Sequence, residues 1–410
     1  MFDKKIKNVK AIQILDSRGN PTIKTYVSTR RYSASALVPS GLSTGKYESF
    51  ELRDKFKAYH GMSVTKALDN VNSVIAPKII GSDVTEQKKI DETMIAIDGT
   101  KNKSKLGANA ILSVSLAVSR CSSLVLGIPL YKLFKGRNVL PVPFCNVING
   151  GKHAGGGLQF QEFMIAPVKA KSFSEAAQIV SEIYYTLKQD IAKKYGNNAI
   201  NVGDEGGFVP PLDNSSDAFE LILKSVEENG YEDKVRLALD AAASQFYNKK
   251  TDKYEVEKNK KLNRYELADY YLNIAKKYKL FSIEDPFDQE DIEGFKELTS
   301  KLNIQIVGDD LTATNIERIS LSIKEKLCNC LLLKFNQTGT LTETLNAAKI
   351  ASDSGWNVMV SHRSGDTEDG FISDLSVGLG CGQIKIGAPS RGERTAKFNR
   401  LLEIESELGN

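Results

Sequence analysis

In the second half of the chain, apolar residues come in short runs that stop on a charged or imidazole side chain. VRLAL stops on Asp240, LFSI on Glu284, IQIVG on Asp309, CLLL on Lys334 and NVMVS on His362, with QIK, ending on Lys385, as a weaker sixth. The end points lie 44, 25, 25, 28 and 23 residues apart. A gap near 25 holds one strand, one helix and their two loops, so the pattern predicts successive βα units of a parallel sheet. Packing does not explain a charge at the C-terminal end of such a strand. In a (β/α)8 barrel, that end is where chemistry sits.

The first half has other periodicities. Residues 5–38 read as antiparallel strands broken by the turn material DSRGNP, and a loop of small residues, Ser40–Gly45 (SGLSTG), follows. Such a loop can bring its backbone close to an anion or metal, or act as a hinge. From Ser63 to Leu126 the spacing is helical, in three segments separated at Gly81-Ser82-Asp83 and between Asp98-Gly99 and Leu106-Gly107. Gly and Pro punctuation places a boundary near residue 137. The expected architecture is an N-terminal α+β capping domain, 1–137, carrying the SGLSTG loop, and a C-terminal α/β TIM barrel, 138–410. Within the barrel, NVLPVPFCNVI and FQEFMIAP read as strands around the glycine-dense GGKHAGGG. Ser172, Glu175 and Gly196 bracket the best-defined helix.

Composition narrows the function classes. The 410 residues suit a barrel with an extra domain. With 55 basic against 51 acidic side chains and no aromatic–basic interleaving, nucleic acid is not an expected partner. The charged start MFDKKIKNVK has no apolar run of a signal peptide, and the apolar stretch Ile111–Leu126 is broken by five serines and Arg120. A cytoplasmic protein without a membrane span is expected. Five scattered cysteines make no disulfide framework, and Cys328 and Cys330, two apart, are expected as buried thiols on one strand face.

Asp240, Glu284 and Asp309 end three successive predicted strands and so should be neighbours on the rim. Three such carboxylates repel. A hard divalent cation such as Mg²⁺ neutralises them and keeps sites for substrate; salt bridges to rim Lys and Arg are the alternative. Lys334 and Lys385 beside a metal would have depressed pKa values, and a lysine so placed can act as a base. His153 and His362 lie in loops of Gly, Ser and Arg, and Arg363 and Ser364 beside His362 suit a carboxylate or phosphate. His60 reads as a surface residue. Glu162 in FQEF and Glu205 in the glycine-flanked GDEGG complete the candidates.

The motifs LDSRGNPT, VPSGLSTG, FQEFMIAP, GDEGG, SIEDPF, LLLKFNQTGT, SHRSGDTED and KIGAPSRGER, in this order, resemble those of the enolase family, the phosphopyruvate hydratases of glycolysis. The resemblance implies that Lys334 removes the proton next to the carboxylate of 2-phosphoglycerate and that Glu205 protonates the departing C3 hydroxyl. It implies that Asp240, Glu284 and Asp309 hold one Mg²⁺, that Ser43 helps hold a second, and that His153, Gln161, Glu162, His362, Arg363, Ser364 and Lys385 contact substrate. It further implies a lid in SGLSTG and a homodimer or higher homo-oligomer. Leu42 in the lid, the KFKAYHGM segment after ELRD, Phe335, Thr338 and Ile386 depart from the family pattern, and none replaces a catalytic side chain. Two other functions were weighed: a lysine Schiff-base aldolase using Lys334, and a surface-binding role for which the usual C-terminal lysine is absent, the chain ending Glu-Leu-Gly-Asn.

Overall fold

The structure, a computed structural model, describes residues 4–41, 45–55, 57–154, 157–257 and 260–409. Three strands, β1 (Asn8–Leu15), β2 (Pro21–Ser28) and β3 (Ser33–Leu37), form the predicted antiparallel meander. Helices α1 (Thr65–Asp69), α2 (Ala76–Ile79), α3 (Gln87–Asp98) and α4 (Ala108–Leu126) follow, broken at the two predicted punctuation sites. Small residues let α4 pack against β2 and β3. Among the described residues it is the one helix long and apolar enough to cross a membrane, and 83% of its apolar window is buried in the fold.

The remainder closes into an eight-stranded barrel. In chain order its first part is β4 (Val142–Asn149), β5 (Glu162–Ala166), α5 (Phe173–Tyr195), α6 (Ser215–Glu228) and β6 (Arg236–Asp240). A small sheet of β7 (Tyr247–Asn248), β8 (Lys253–Glu257) and β9 (Lys260–Leu262) then precedes α7 (Arg264–Tyr278). This insertion accounts for the long first gap in the strand pattern. The rest runs β10 (Ser282–Glu284), α8 (Ile292–Lys301), β11 (Gln305–Gly308), α9 (Ile316–Glu325), β12 (Cys330–Leu333), α10 (Phe335–Thr338), α11 (Leu341–Asp353), β13 (Asn357–Ser361), α12 (Phe371–Leu379), β14 (Gln383–Lys385) and α13 (Gly392–Leu408). Caps mark the helix starts as the sequence suggests: Ser172 accepts from Glu175 N at 3.0 Å, and Asn263 forms a capping box with Glu266.

The six strands read from the charge-terminated runs pair in parallel, as expected, and one further strand reverses. No α-helix stands between β4 and β5 among the described residues, and β5 runs antiparallel to both neighbours, β4 and β6. Its first residue therefore lies at the rim where the other strands end, and Glu162 pairs in register with Asp240. Cys328 and Cys330 also differ from expectation. Cys328 precedes β12, so the two-residue strand period does not apply to it, and the two buried thiols belong to separate apolar clusters.

Side chains two residues apart along each strand fill the barrel in layers. Gln305, Gln383, Asn357 and Ser282 hydrogen-bond one another at the strand starts. Phe144, Met164, Ala238, Val307, Leu332 and Met359 belong to the apolar layer above them. Two residues further toward the rim, the same period brings Glu162, Asp240, Asp309 and Lys334. The charged mouth is thus the next layer of one continuous stack.

Backbone and side-chain contacts fasten the small domain over this mouth. Ser40 and Gly365 exchange two backbone hydrogen bonds, at 2.6 and 2.9 Å, and a Cβ at Gly365 would come within 2.6 Å of Ser40 O. Asp369, on the barrel, accepts from Leu37 N at 2.9 Å and from both Arg120 Nη atoms at 2.8 and 2.5 Å. The Asp369 side chain is 4% exposed, so removing its partner strands a buried charge. Arg120→Ala is expected to lower the unfolding free energy by about 3 kcal/mol in chemical denaturation. Lys101→Ala, which removes an ion pair with Glu317 exposed on both sides, should leave the midpoint where it is.

Candidate active site

The charged layer at the mouth lines a cavity together with Glu48 from the small domain and the loop side chains Gln161, Glu205 and Ser361 to Ser364. At its floor Lys385, 2% exposed, places its ammonium between Glu162 Oε2 at 2.9 Å, Asp240 Oδ2 at 3.1 Å and both oxygens of Glu284 at 2.9 Å. Lys334 Nζ lies 2.5 Å from Asp309 Oδ2, while Gln337 donates to Asp309 Oδ1 at 3.0 Å. Gln161 donates to Asp240 Oδ2 at 3.2 Å, and its own carbonyl accepts from Gln245.

Carboxylates outnumber cations here, and their protonation follows. Burial, the nearby Glu205 and further acids push the Glu162 carboxyl well up, against the pull of Lys385. Burial and Asp240 do the same to Glu284. Asp310 is pushed up to about 7 by burial and Asp309. Burial would raise Asp309 too, but Lys334 and Arg363 together hold it below the usual carboxylate range. The depressed pKa expected of the two lysines applies beside a bound metal; the protein's own groups act in the other direction. Burial does act to lower Lys334 and Lys385, yet the adjoining carboxylates outweigh it and both are raised. An ammonium among unneutralised carboxylates is held charged.

Such a surplus of hard oxygen donors suits a divalent cation. Two sets present themselves. Asp240 and Glu284 end the adjacent strands β6 and β10, in register, and Asp309 directly follows β11 beside them. Asp285, Asp309 and Asp310 also offer oxygens within 4.8 Å of one another and could hold a metal. Asp285, however, already accepts from the backbone N–H groups of Asp309 at 3.1 Å and Asp310 at 2.6 Å, so it braces the loop that aims Asp309.

Loop residues are seated by close backbone packing. Glu205 O accepts from Ala388 N at 3.0 Å, and a Cβ at Gly387, whose φ is +76°, would meet Glu205 O at 2.7 Å. The Glu205 side chain accepts from Asn146 Nδ2 at 3.1 Å and lies 3.4 Å from His362 Nε2. Arg363 reaches Glu48 at 3.1 and 3.4 Å and Asn336 Oδ1 at 3.1 Å. Ser364 is buried at the cavity edge, and His60 is exposed and is not part of the cavity lining. The lid residues Leu42, Ser43 and Thr44, and the His153 side chain, lie outside the described residues.

Sequence reasoning missed Glu48, Asp285 and Asn146. Asn146 is two residues beyond the inward Phe144 of β4, so the strand period pointed to it; Glu48 had no local signal. Burial drives the His362 imidazole down to about 4, below its ordinary 6.5. The unfolded chain then binds a proton that the native state refuses, so His362 should cost stability as pH falls from about 6.5 toward 4 and nothing above that range. At its limit the effect is about 3 kcal/mol. Denaturation across that window should show a shallower acid loss in His362→Gln than in the parent.

Two family models match the chain: "Enolase, N-terminal domain" over residues 6–134 and "Enolase, C-terminal TIM barrel domain" over 137–410. A curated protein named enolase from Methanocaldococcus jannaschii is 56% identical over 407 residues, covering 98% of this chain and 96% of its own length. Enolases of Thermococcus gammatolerans and Pyrococcus furiosus are 55% and 52% identical over 409 residues, each at 98% of this chain and 95% of theirs. With both domains matched and identity sustained end to end, the chain belongs to the enolase family.

Proposed function

We propose that the cavity carries out the Mg²⁺-dependent, reversible dehydration of 2-phosphoglycerate to phosphoenolpyruvate and water, the lyase reaction of its family, with the roles that follow. The observation that carries the reading is the surplus of buried carboxylates in one cavity with Lys334, Lys385 and Arg363. A proton next to a carboxylate is very weakly acidic, because its loss leaves a dianionic enediolate, and the transition state needs concentrated positive charge. Asp240, Glu284 and Asp309 fit one divalent cation as donors, and Ser43 would help hold a second. A divalent cation such as Mg²⁺ held there would supply that positive charge and would partly neutralise the carboxylates beside the lysines.

Lys334 Nζ takes the proton from C2 in its neutral form. Glu205, in its acid form, gives its proton to the C3 hydroxyl. The C3–O bond breaks with its electron pair leaving in water, and the electrons left at C2 form the C2=C3 bond. Arg363, Ser364, Lys385, Gln161, His362 and His153 contact substrate, with Arg363 as the planar donor to an anionic group. The reading extends to a cytoplasmic, homo-oligomeric glycolytic enzyme. A Schiff-base aldolase would use Lys334 as nucleophile and leave the three strand-end carboxylates without a part.

Solvent-deuterium exchange at C2 separates the two proton transfers. Lys334→Ala is expected to abolish exchange and to lower turnover by about 10²–10⁴-fold. Glu205→Gln should keep exchange while losing dehydration, and exchange in Lys334→Ala at the parent rate would remove the lysine from the role of base. Chelation should abolish formation of the product's ultraviolet absorbance, and added Mg²⁺ should restore it.

A further inference from the structure

Arg394 lies on α13, is wholly buried and does not line the cavity. Its Nη1 is 2.7 Å from His362 Nδ1 and 2.6 Å from Arg363 O; its Nη2 is 3.0 Å from Asp204 O and 2.7 Å from Ser364 O. A guanidinium has donors only and keeps its charge in a protein. His362 Nδ1 must therefore be the acceptor. A neutral imidazole whose Nδ1 accepts carries its hydrogen on Nε2, and neither the other tautomer nor the imidazolium can keep the contact. Nε2 faces Glu205 Oε2 at 3.4 Å. The same oxygen accepts from Asn146 Nδ2 at 3.1 Å. With Asn146 donating to it and the Nε2–H group facing it across 3.4 Å, a contact that makes no formed hydrogen bond, Oε2 is a poor seat for a proton.

We propose that Arg394 is a positioning residue for the dehydration: it locks His362 in the Nε2–H tautomer, holding Glu205 Oε2 as an acceptor, so that the proton delivered to the C3 hydroxyl rides on Oε1. The inference rests on Glu205 being the acid. In this arrangement His362 is a fixed donor and takes no part as acid or base. Depression of its pKa by burial agrees with a ring kept neutral. Gly387 keeps the cluster tight, since a Cβ there would come within 3.0 Å of both the His362 ring and the Arg394 stem.

The chain has only three histidines, so imidazole ¹⁵N–¹H long-range correlation spectra of the full-length protein resolve His362, assigned by its loss in His362→Gln. The expected parent spectrum shows a bare Nδ1 and a protonated Nε2 from pH 8 to 5. A protonated Nδ1 there overturns the proposal, whatever the variants do. In Arg394→Met, which removes the donor that keeps Nδ1 bare, the ring should show a protonated Nδ1 or a mixture of tautomers, with kcat down about tenfold or more. A fall in kcat with the ring still locked would make Arg394 a brace for the 363–364 loop alone and also overturn it. If Arg394→Met does not fold, the conservative pair decides. His362→Gln, whose amide can donate from a similar position, should retain more kcat than His362→Phe, and equal loss in both counts against the proposal. Failure of the acid assignment is read separately, from C2 exchange and dehydration in Glu205→Gln.

Discussion

The ammonium of Lys385 among Glu162, Asp240 and Glu284 is the constraint on which the mouth of the barrel depends. Burying several carboxylates side by side costs several kcal/mol per ion unless opposite charge is supplied. The fold supplies it from the last residue of β14, and a second time from Lys334 beside Asp309. Even so the carboxyls of Glu162 and Glu284 remain pushed up, which marks the cluster as built for more positive charge than the chain itself carries. Unmet negative charge of this kind is what a divalent cation would neutralise.

The second constraint is the closure of a small domain over this mouth. Glu48 enters the cavity from the capping domain and meets Arg363, both nearly buried. The backbone pair between Ser40 and Gly365 sits close by in the chain, so the end of the small domain's strand region and the loop that carries Arg363 are registered against each other by one short interface. Gln337 spans both sets, donating to Asp309 and lying 3.5 Å from Glu48 Oε1. Glu48 of the small domain and Asp309 of the barrel therefore share a hydrogen-bonded frame.

A comparable division of labour operates behind the site. α13 contributes no group to the cavity lining, yet Arg394 holds four acceptors belonging to the loops that do, and Lys397 pairs with Asp366 at 2.8 Å one turn on. Charges with fixed donor character, placed one shell away, decide which atoms of the reacting groups can carry protons. Orientation is set by the scaffold and chemistry by the mouth.

The sequence by itself determined the barrel class, the small α+β domain and most of the charged ring. Asp240, Glu284, Asp309 and Lys334 were legible because each interrupts an apolar strand at a point where the two-residue period turns it inward, and this is local information. The ordered motifs carried the family. Tertiary structure alone decided the rest. Glu162 begins its strand rather than ending one, and it reaches the rim only because β5 runs backward, a choice set by strand neighbours far off in the chain. Glu48 and Arg394 are charged residues without local pattern, drawn in by docking of a domain and a helix. The protonation of the two lysines belongs with these: it depends on how many carboxylates stand within a few ångströms of each ammonium, a count that exists only once the chain has folded.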